Sequence, residues 1–231
     1  LTAEWHHVLA VTYAADRALL EPHLPPGAQI DELDGSPRVS VVAFGFRHTR
    51  VRGLAIPGHR TFPEINLRFY VRMHGERAVV FIREFVPRRA ISLVARLRYN
   101  ESYRTISMRE QVIAHGPGAR GRLGVRHRFG PRRRHRIEAW ADPVAREPTP
   151  DSAAYWITHH NLGLGTTRGG RTQAYRVEHP VWALHEVLDL QLDVDFGALY
   201  GIPWRFLSTA QPSHVTLAAG SAVEISAPVD A

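Results

Sequence analysis

The chain has 231 residues, 44% of them hydrophobic, with a formal net charge of +7 carried by 29 arginines and no lysine. That length and apolar fraction suit one large β domain with a real core. The absence of cysteine excludes disulfides, thiolate nucleophiles and cysteine-ligated metals, and the absence of lysine excludes a Schiff base, because arginine stays protonated.

No apolar run approaches the ~20 residues that span a bilayer, and the opening residues lack a basic leader, so a cytoplasmic protein without a membrane partner is expected. The arginine bias matches the codon usage of a GC-rich genome, and charge excess alone says nothing about fold.

Trp5 to Tyr13 alternates weakly and predicts a strand, followed by a short helix, Arg17 to His23, capped by Asp16 and stopped by Pro25, Pro26 and Gly27. Ala28 to Leu33 and Arg38 to Phe46 flank a turn signal at Asp34-Gly35-Ser36-Pro37 and predict a hairpin. Its second half is apolar on both faces, as a buried central strand requires. Arg47 to Phe62 reads as a loop with Pro57 and Gly58 as breakers.

The clearest pattern follows. From Glu64 to Met73, Ile65, Leu67, Phe69, Val71 and Met73 fall on one face, with Glu64, Asn66, Arg68, Tyr70 and Arg72 on the other. Ten residues at ~3.4 Å each make a strand of about 34 Å, long enough for its polar face to be shared between solvent and a cavity. His74 to Arg77 turns into an antiparallel partner, Ala78 to Val86, and Pro87 opens a helix through Arg98. Thr105 to His115 reads as a strand, Gly116 to Gly124 as a loop, and Arg136 to Ala141 as a short strand.

A helix is expected from Ala153 to His160, capped at Asp151 or Ser152 and closed near Gly163, with Gly163, Gly165, Gly169 and Gly170 as punctuation before a strand at Thr172 to Glu178. Ala183 to Val194 reads as a strand and Asp195 to Tyr200 as one helical turn. Phe206 to Ala210, His214 to Ala219 and Ala222 to Ser226 read as short strands broken at Pro212 and Gly220. Many short strands with a few short helices predict a mainly β, mostly antiparallel fold. No linker interrupts residues 1–231, so a single domain is expected.

One set of chemistry-bearing residues stands out. Glu64, Asn66 and Arg68 share the polar face of the long strand, and Arg96, Glu101 and Tyr103 follow the helix. An arginine in a cavity binds a carboxylate or phosphate through its fork, and a desolvated glutamate serves as general acid or base. The bland alternative is a cross-strand ion pair between Glu64 or Glu101 and an arginine.

The fourteen histidines lack chelating spacing: His6 and His7 point to opposite faces of a strand, His159 and His160 diverge on a helix, and no metal site is expected. His179, beside Pro180 and Trp182, is expected to pack or hydrogen-bond internally. The basic stretch at 120–136, with Pro131 to Arg136 at its end, reads as a solvated loop and makes nucleic-acid binding a minor alternative.

Taken together, several stretches resemble the YqjF-like bacterial family of the acetoacetate decarboxylase-like superfamily, across nearly the whole chain. They are Trp5 to Tyr13, Leu24-Pro25-Pro26-Gly27, Asp34-Gly35, Val39-Ser40-Val41-Val42 with Phe44, Pro63-Glu64 with Asn66-Leu67-Arg68 and Tyr70-Val71, Ala95-Arg96, Tyr99-Asn100-Glu101-Ser102-Tyr103, His179-Pro180 with Trp182, and Ala219-Gly220-Ser221. The resemblance implies a twisted antiparallel sheet or barrel enclosing a small-molecule cavity, with helices outside. Phe62-Pro63-Glu64 matches a strand motif of true decarboxylases. The neighbourhood of their catalytic lysine corresponds to Glu101 to Arg104, which has none, so the imine mechanism does not carry over.

The resulting expectation is a cavity for a small anionic or carbonyl-bearing metabolite, without a cofactor. Glu64, Glu101 and Tyr103 would be catalytic and Asn66, Arg68 and Arg96 ligand-binding, in lyase, hydratase or isomerase chemistry. A non-catalytic binding module is the alternative, and homo-oligomerisation is left open.

Overall fold

The computed structural model describes residues 1–92, 102–115 and 121–231. Among them, fifteen strands join in one twisted, mostly antiparallel sheet, with only short helices. The mainly β architecture expected from the sequence is the one observed. The helix expected to run through Arg98, with Arg96 and Glu101, falls largely outside the described residues, which show only its start at 89–92.

The centre of the sheet is β1 (Thr2–Ala14), β4 (Ser36–Arg50), β5 (Phe62–Met73) and β6 (Glu76–Val86), hydrogen-bonded antiparallel in the order β1-β4-β5-β6. Period-two alternation gives each strand two buried faces. Leu9, Val11, Val41, Ala43, Ile65, Leu67 and Phe69 enter the larger core, while Val8, Ala10, Val42, Phe44 and Tyr70 enter a second cluster on the opposite side. Burying a Leu, Ile or Phe contributes about 1.5–3 kcal/mol each, an upper bound when the reference is an extended chain. β5 therefore owes its place to its apolar face and is free to carry polar groups on the other.

Tight turns set the registers. Asp34-Gly35 (φ +53° and +70°) joins β3 (Glu32–Leu33) to β4, and His74-Gly75 (φ +51° and +82°) joins β5 to β6, in the left-handed geometry two-residue hairpins require. The expected first hairpin is shorter than predicted, because β2 (Gln29–Ile30) pairs with β5 instead. The strand β4 also runs to Arg50, so the predicted loop begins later than Arg47.

From β6 the ladder continues in parallel to β11 (Leu162–Thr166), then antiparallel to β12 (Thr172–Glu178). β12 pairs in turn with β14 (His214–Ile225), which pairs with β1, so the ladder returns on itself. The other arm runs from β14 through β13 (Leu184–Asp193) and β10 (His135–Arg146) to β9 (Arg122–Phe129) and β8 (Met108–His115).

Five further expectations are corrected. Residues 122–129, read as part of a basic loop, form β9. Val125, His127 and Phe129 face the core, and Arg126 donates two hydrogen bonds to Glu138 at 2.7 and 2.8 Å. Gly163 and Gly165 lie inside β11, not between elements. Phe206 to Ala210 is no strand, since residues Ile202–Ser208 form a 3-10 helix with a proline in its first turn.

Gly220 does not break β14. The strand passes through it at φ +88°, where an added Cβ would lie 1.9 Å from the Trp5 carbonyl oxygen. This is close backbone approach, the second meaning of a glycine in a strand. Thr105 to His115 likewise divides into β7 (Tyr103–Thr105), parallel to β6, and β8.

Candidate functional site

A cavity of about 250 Å³ lies on the polar side of β5. Its walls are mainly apolar, aliphatic side chains such as Val8, Val42, Val177 and Ile225 mixed with a set of rings: Trp5 from β1, Phe44 and Phe46 from β4, Phe62 from β5, Phe81 from β6 and Tyr175 from β12. The rings pack on one another, Trp5 on Phe44 at 4.8 Å between centroids and Phe46 on Phe62 at 4.6 Å, nearly parallel. The polar groups come from adjacent strands. Glu64, Asn66 and Arg68 stand at alternate positions of β5, Glu84 stands beside Asn66 on β6, and Tyr103 stands beside Glu84 on β7.

Glu64 is 3% exposed. Asn66 Nδ2 donates to its Oε1 at 3.2 Å and the Tyr103 hydroxyl donates to its Oε2 at 3.1 Å, so each carboxylate oxygen is held from one side. Asn66 Oδ1 has no hydrogen-bond partner among the described residues, nor has Arg68 Nε.

Arg68 is fixed from behind. Its Nη2 donates to the Ile157 carbonyl at 3.2 Å, and its guanidinium lies 5.8 Å from the centre of the Tyr70 ring. Ile157 belongs to the last turn of α2 (Ala153–Thr158), a helix started by Ser152, whose hydroxyl accepts from the Tyr155 N–H. Arg77 from β6 donates to the neighbouring Trp156 carbonyl at 2.7 Å, so two arginines satisfy the helix's terminal carbonyls. Asp31 holds Arg77 in turn, Nε to Oδ2 at 3.1 Å. Docking α2 on the sheet thus orients Arg68.

Behind Arg68 lies a neutral histidine layer. Arg77 donates to His160 Nε2 at 3.2 Å, and the His160 ring packs 5.0 Å from Tyr70. Burial first, then the positive charges of Arg68 and Arg77, hold His160 well below the ordinary histidine range. His179 stacks on Trp182 at 4.0 Å and is lowered chiefly by burial, so its predicted internal packing is observed. Among the described residues no group of three histidines or carboxylates is placed to hold a metal ion.

The structure thus gathers Glu64, Asn66, Arg68 and Tyr103 at one cavity, while Arg96 and Glu101 lie outside the described residues. Sequence reasoning missed Glu84, which is 1% exposed. A β-bulge is the reason. Arg68 pairs with Phe81 but Leu67 pairs with Arg83, so β6 carries an extra residue and Glu84 shares a face with Phe81 despite their odd spacing. Counting by twos from Phe81 selects Arg83 instead, and Arg83 points the other way, donating to the Leu199 carbonyl.

Sheet order, short outer helices and a cavity against the central strands define an acetoacetate decarboxylase-like fold. The enduracididine biosynthesis enzyme MppR complexed with pyruvate superposes with a TM-score of 0.64 at 14% identity, covering 99% of this chain and 89% of that one. An acetoacetate decarboxylase-like enzyme from Sphingomonas wittichii RW1 gives 0.65 at 12%, covering 100% and 92%. The acetoacetate decarboxylase of Legionella pneumophila subsp. pneumophila str. Philadelphia 1 gives 0.60 at 12%, covering 100% and 86%.

At such identities the likeness is one of fold. The chain itself belongs to the DUF2071 family, described as an uncharacterized conserved protein, whose model matches residues 2–222. The uncharacterized protein YqjF of Bacillus subtilis (strain 168) is 27% identical over 188 residues, 78% of this chain and 73% of that protein.

Proposed function

We propose that the chain binds a small carboxylate- or carbonyl-bearing metabolite in this cavity and transfers a proton on it. The observation that carries the reading is the meeting of Glu64, Asn66, Arg68, Glu84 and Tyr103 at the wall of a largely apolar cavity. Solved proteins of the same fold include one with pyruvate bound, which agrees with an oxo acid as ligand.

Arg68, which lines the cavity and is fixed from behind through Nη2, is the donor for the acid group. Glu64 is the base. Its carboxylate takes a proton from the carbon beside a carbonyl, and the C–H electron pair becomes the enolate double bond. The carbonyl oxygen receives the displaced pair as negative charge, and the Tyr103 O–H, released from Glu64 Oε2 as that carboxylate takes up the proton, turns to stabilise it. Asn66 Nδ2 fixes Glu64 throughout. No lysine exists in these 231 residues to form an imine, so the chemistry belongs to enolisation, hydration or carbon–carbon lyase classes without one.

A thermal-shift screen of oxo, hydroxy and sugar acids on the wild type and Arg68→Ala tests the binding. A ligand at a hundred times its Kd adds about 2.7 kcal/mol, a Tm rise of roughly 5–10 °C for a domain this size. The rise is expected in the wild type and absent in Arg68→Ala. An equal rise in both removes Arg68 from the site. For a bound acid that is turned over, Glu64→Gln should keep the fold and abolish conversion.

A further inference from the structure

We infer that the ligand is an acid with a ring-sized apolar body, an aryl-substituted oxo acid, and not a short-chain acid. The inference rests on the reading of the cavity as an acid site and adds what fills the remainder. About 250 Å³ corresponds to the share of roughly eight liquid waters. A three-carbon acid held at Arg68 leaves most of that space facing apolar wall.

The wall is specific in kind. Trp5, Phe44, Phe46 and Phe62 form a contiguous set, with successive centroids 4.8, 5.3 and 4.6 Å apart, the last pair 15° from parallel. Such an array offers edges and faces to another ring at the offset and T-shaped distances aromatic pairs prefer.

The carboxylates and the guanidinium of the lining gather on the β5 and β6 wall, with Glu64, Arg68 and Glu84 3%, 9% and 1% exposed beside Asn66 at 2%. On the other walls Trp5 Nε1 and Thr49 Oγ1 also lack a hydrogen-bond partner among the described residues. A ligand matching this division has one charged or carbonyl end and one ring. One methylene in an apolar pocket already changes discrimination by about tenfold or more, so a whole ring must exceed that.

Calorimetric titration of the intact chain with pyruvate, phenylpyruvate and the neutral ketone phenylacetone decides it. Phenylpyruvate is expected to bind at least tenfold more tightly than either of the others, and Phe44→Leu to weaken phenylpyruvate by a larger factor than pyruvate. Thermal melting of that variant separates lost affinity from lost fold, and the wild-type series stands without it. Pyruvate binding as tightly as phenylpyruvate overturns the ring while leaving the acid site. Phenylacetone binding as tightly as phenylpyruvate, or no acid binding at all, overturns the proposed function and this inference with it.

Discussion

Lowering the pH should destabilise this fold through His127, and replacing that residue should remove the effect. His127 on β9 is 1% exposed, and neither ring nitrogen has a hydrogen-bond partner among the described residues. Burial, together with the charges of His7 and Arg47 and against the pull of Glu110, pushes it down to about 4 from 6.5. The unfolded chain therefore binds a proton below pH 6.5 that the folded chain refuses until about pH 4.

A histidine lowered in the folded state costs nothing above its unfolded value, and stability falls as pH drops between the two. At 1.36 kcal/mol per unit the loss approaches about 3 kcal/mol by pH 4. His7, also lowered to about 4 by burial and by its charged neighbours, adds in the same window. Urea unfolding of wild type and His127→Leu at pH 7.5, 6, 5 and 4 measures it. The variant should be at least as stable at pH 7.5, since it removes an unsatisfied buried group, and should lose less on acidification. Parallel pH curves for the two proteins would show that His127 does not set the acid sensitivity.

Gly220→Ala should cost more than about 4 kcal/mol or prevent folding, because its Cβ would meet the Trp5 backbone, which cannot give way; thermal melting checks it. Gly163→Ala should destabilise by displacing the Tyr175 ring, whose Cζ would lie 2.5 Å from the new methyl, whereas Gly165→Ala meets nothing within 4 Å and should stay within about 1 kcal/mol. Ser152→Ala removes the cap of α2 and should lower stability by about 1 kcal/mol in urea unfolding.

The sequence disclosed the part of the site carried by long-range periodicity. Alternation along β5 runs unbroken, so Glu64, Asn66 and Arg68 could be placed on one face without knowing what lay opposite. Glu84 was hidden because a bulge reverses the parity of β6 at the point where it matters. Tyr103 sits on a strand of three residues, too short for any period, and its position follows from parallel pairing with β6.

Local composition misled elsewhere. Arginines and glycines around residues 116–136 resemble a loop, yet Val125, His127 and Phe129 already alternate as β9 does. The anchoring of Arg68 by the end of α2 connects residues 89 positions apart, and no local pattern announces such a contact.

The most direct test of the proposed site is a crystal structure of the protein with phenylpyruvate. The carboxylate should lie within hydrogen-bonding distance of the Arg68 guanidinium, with the ring among Trp5, Phe44, Phe46 and Phe62. Phenylpyruvate bound elsewhere, or held in the cavity with its acid group turned away from Arg68, would contradict it.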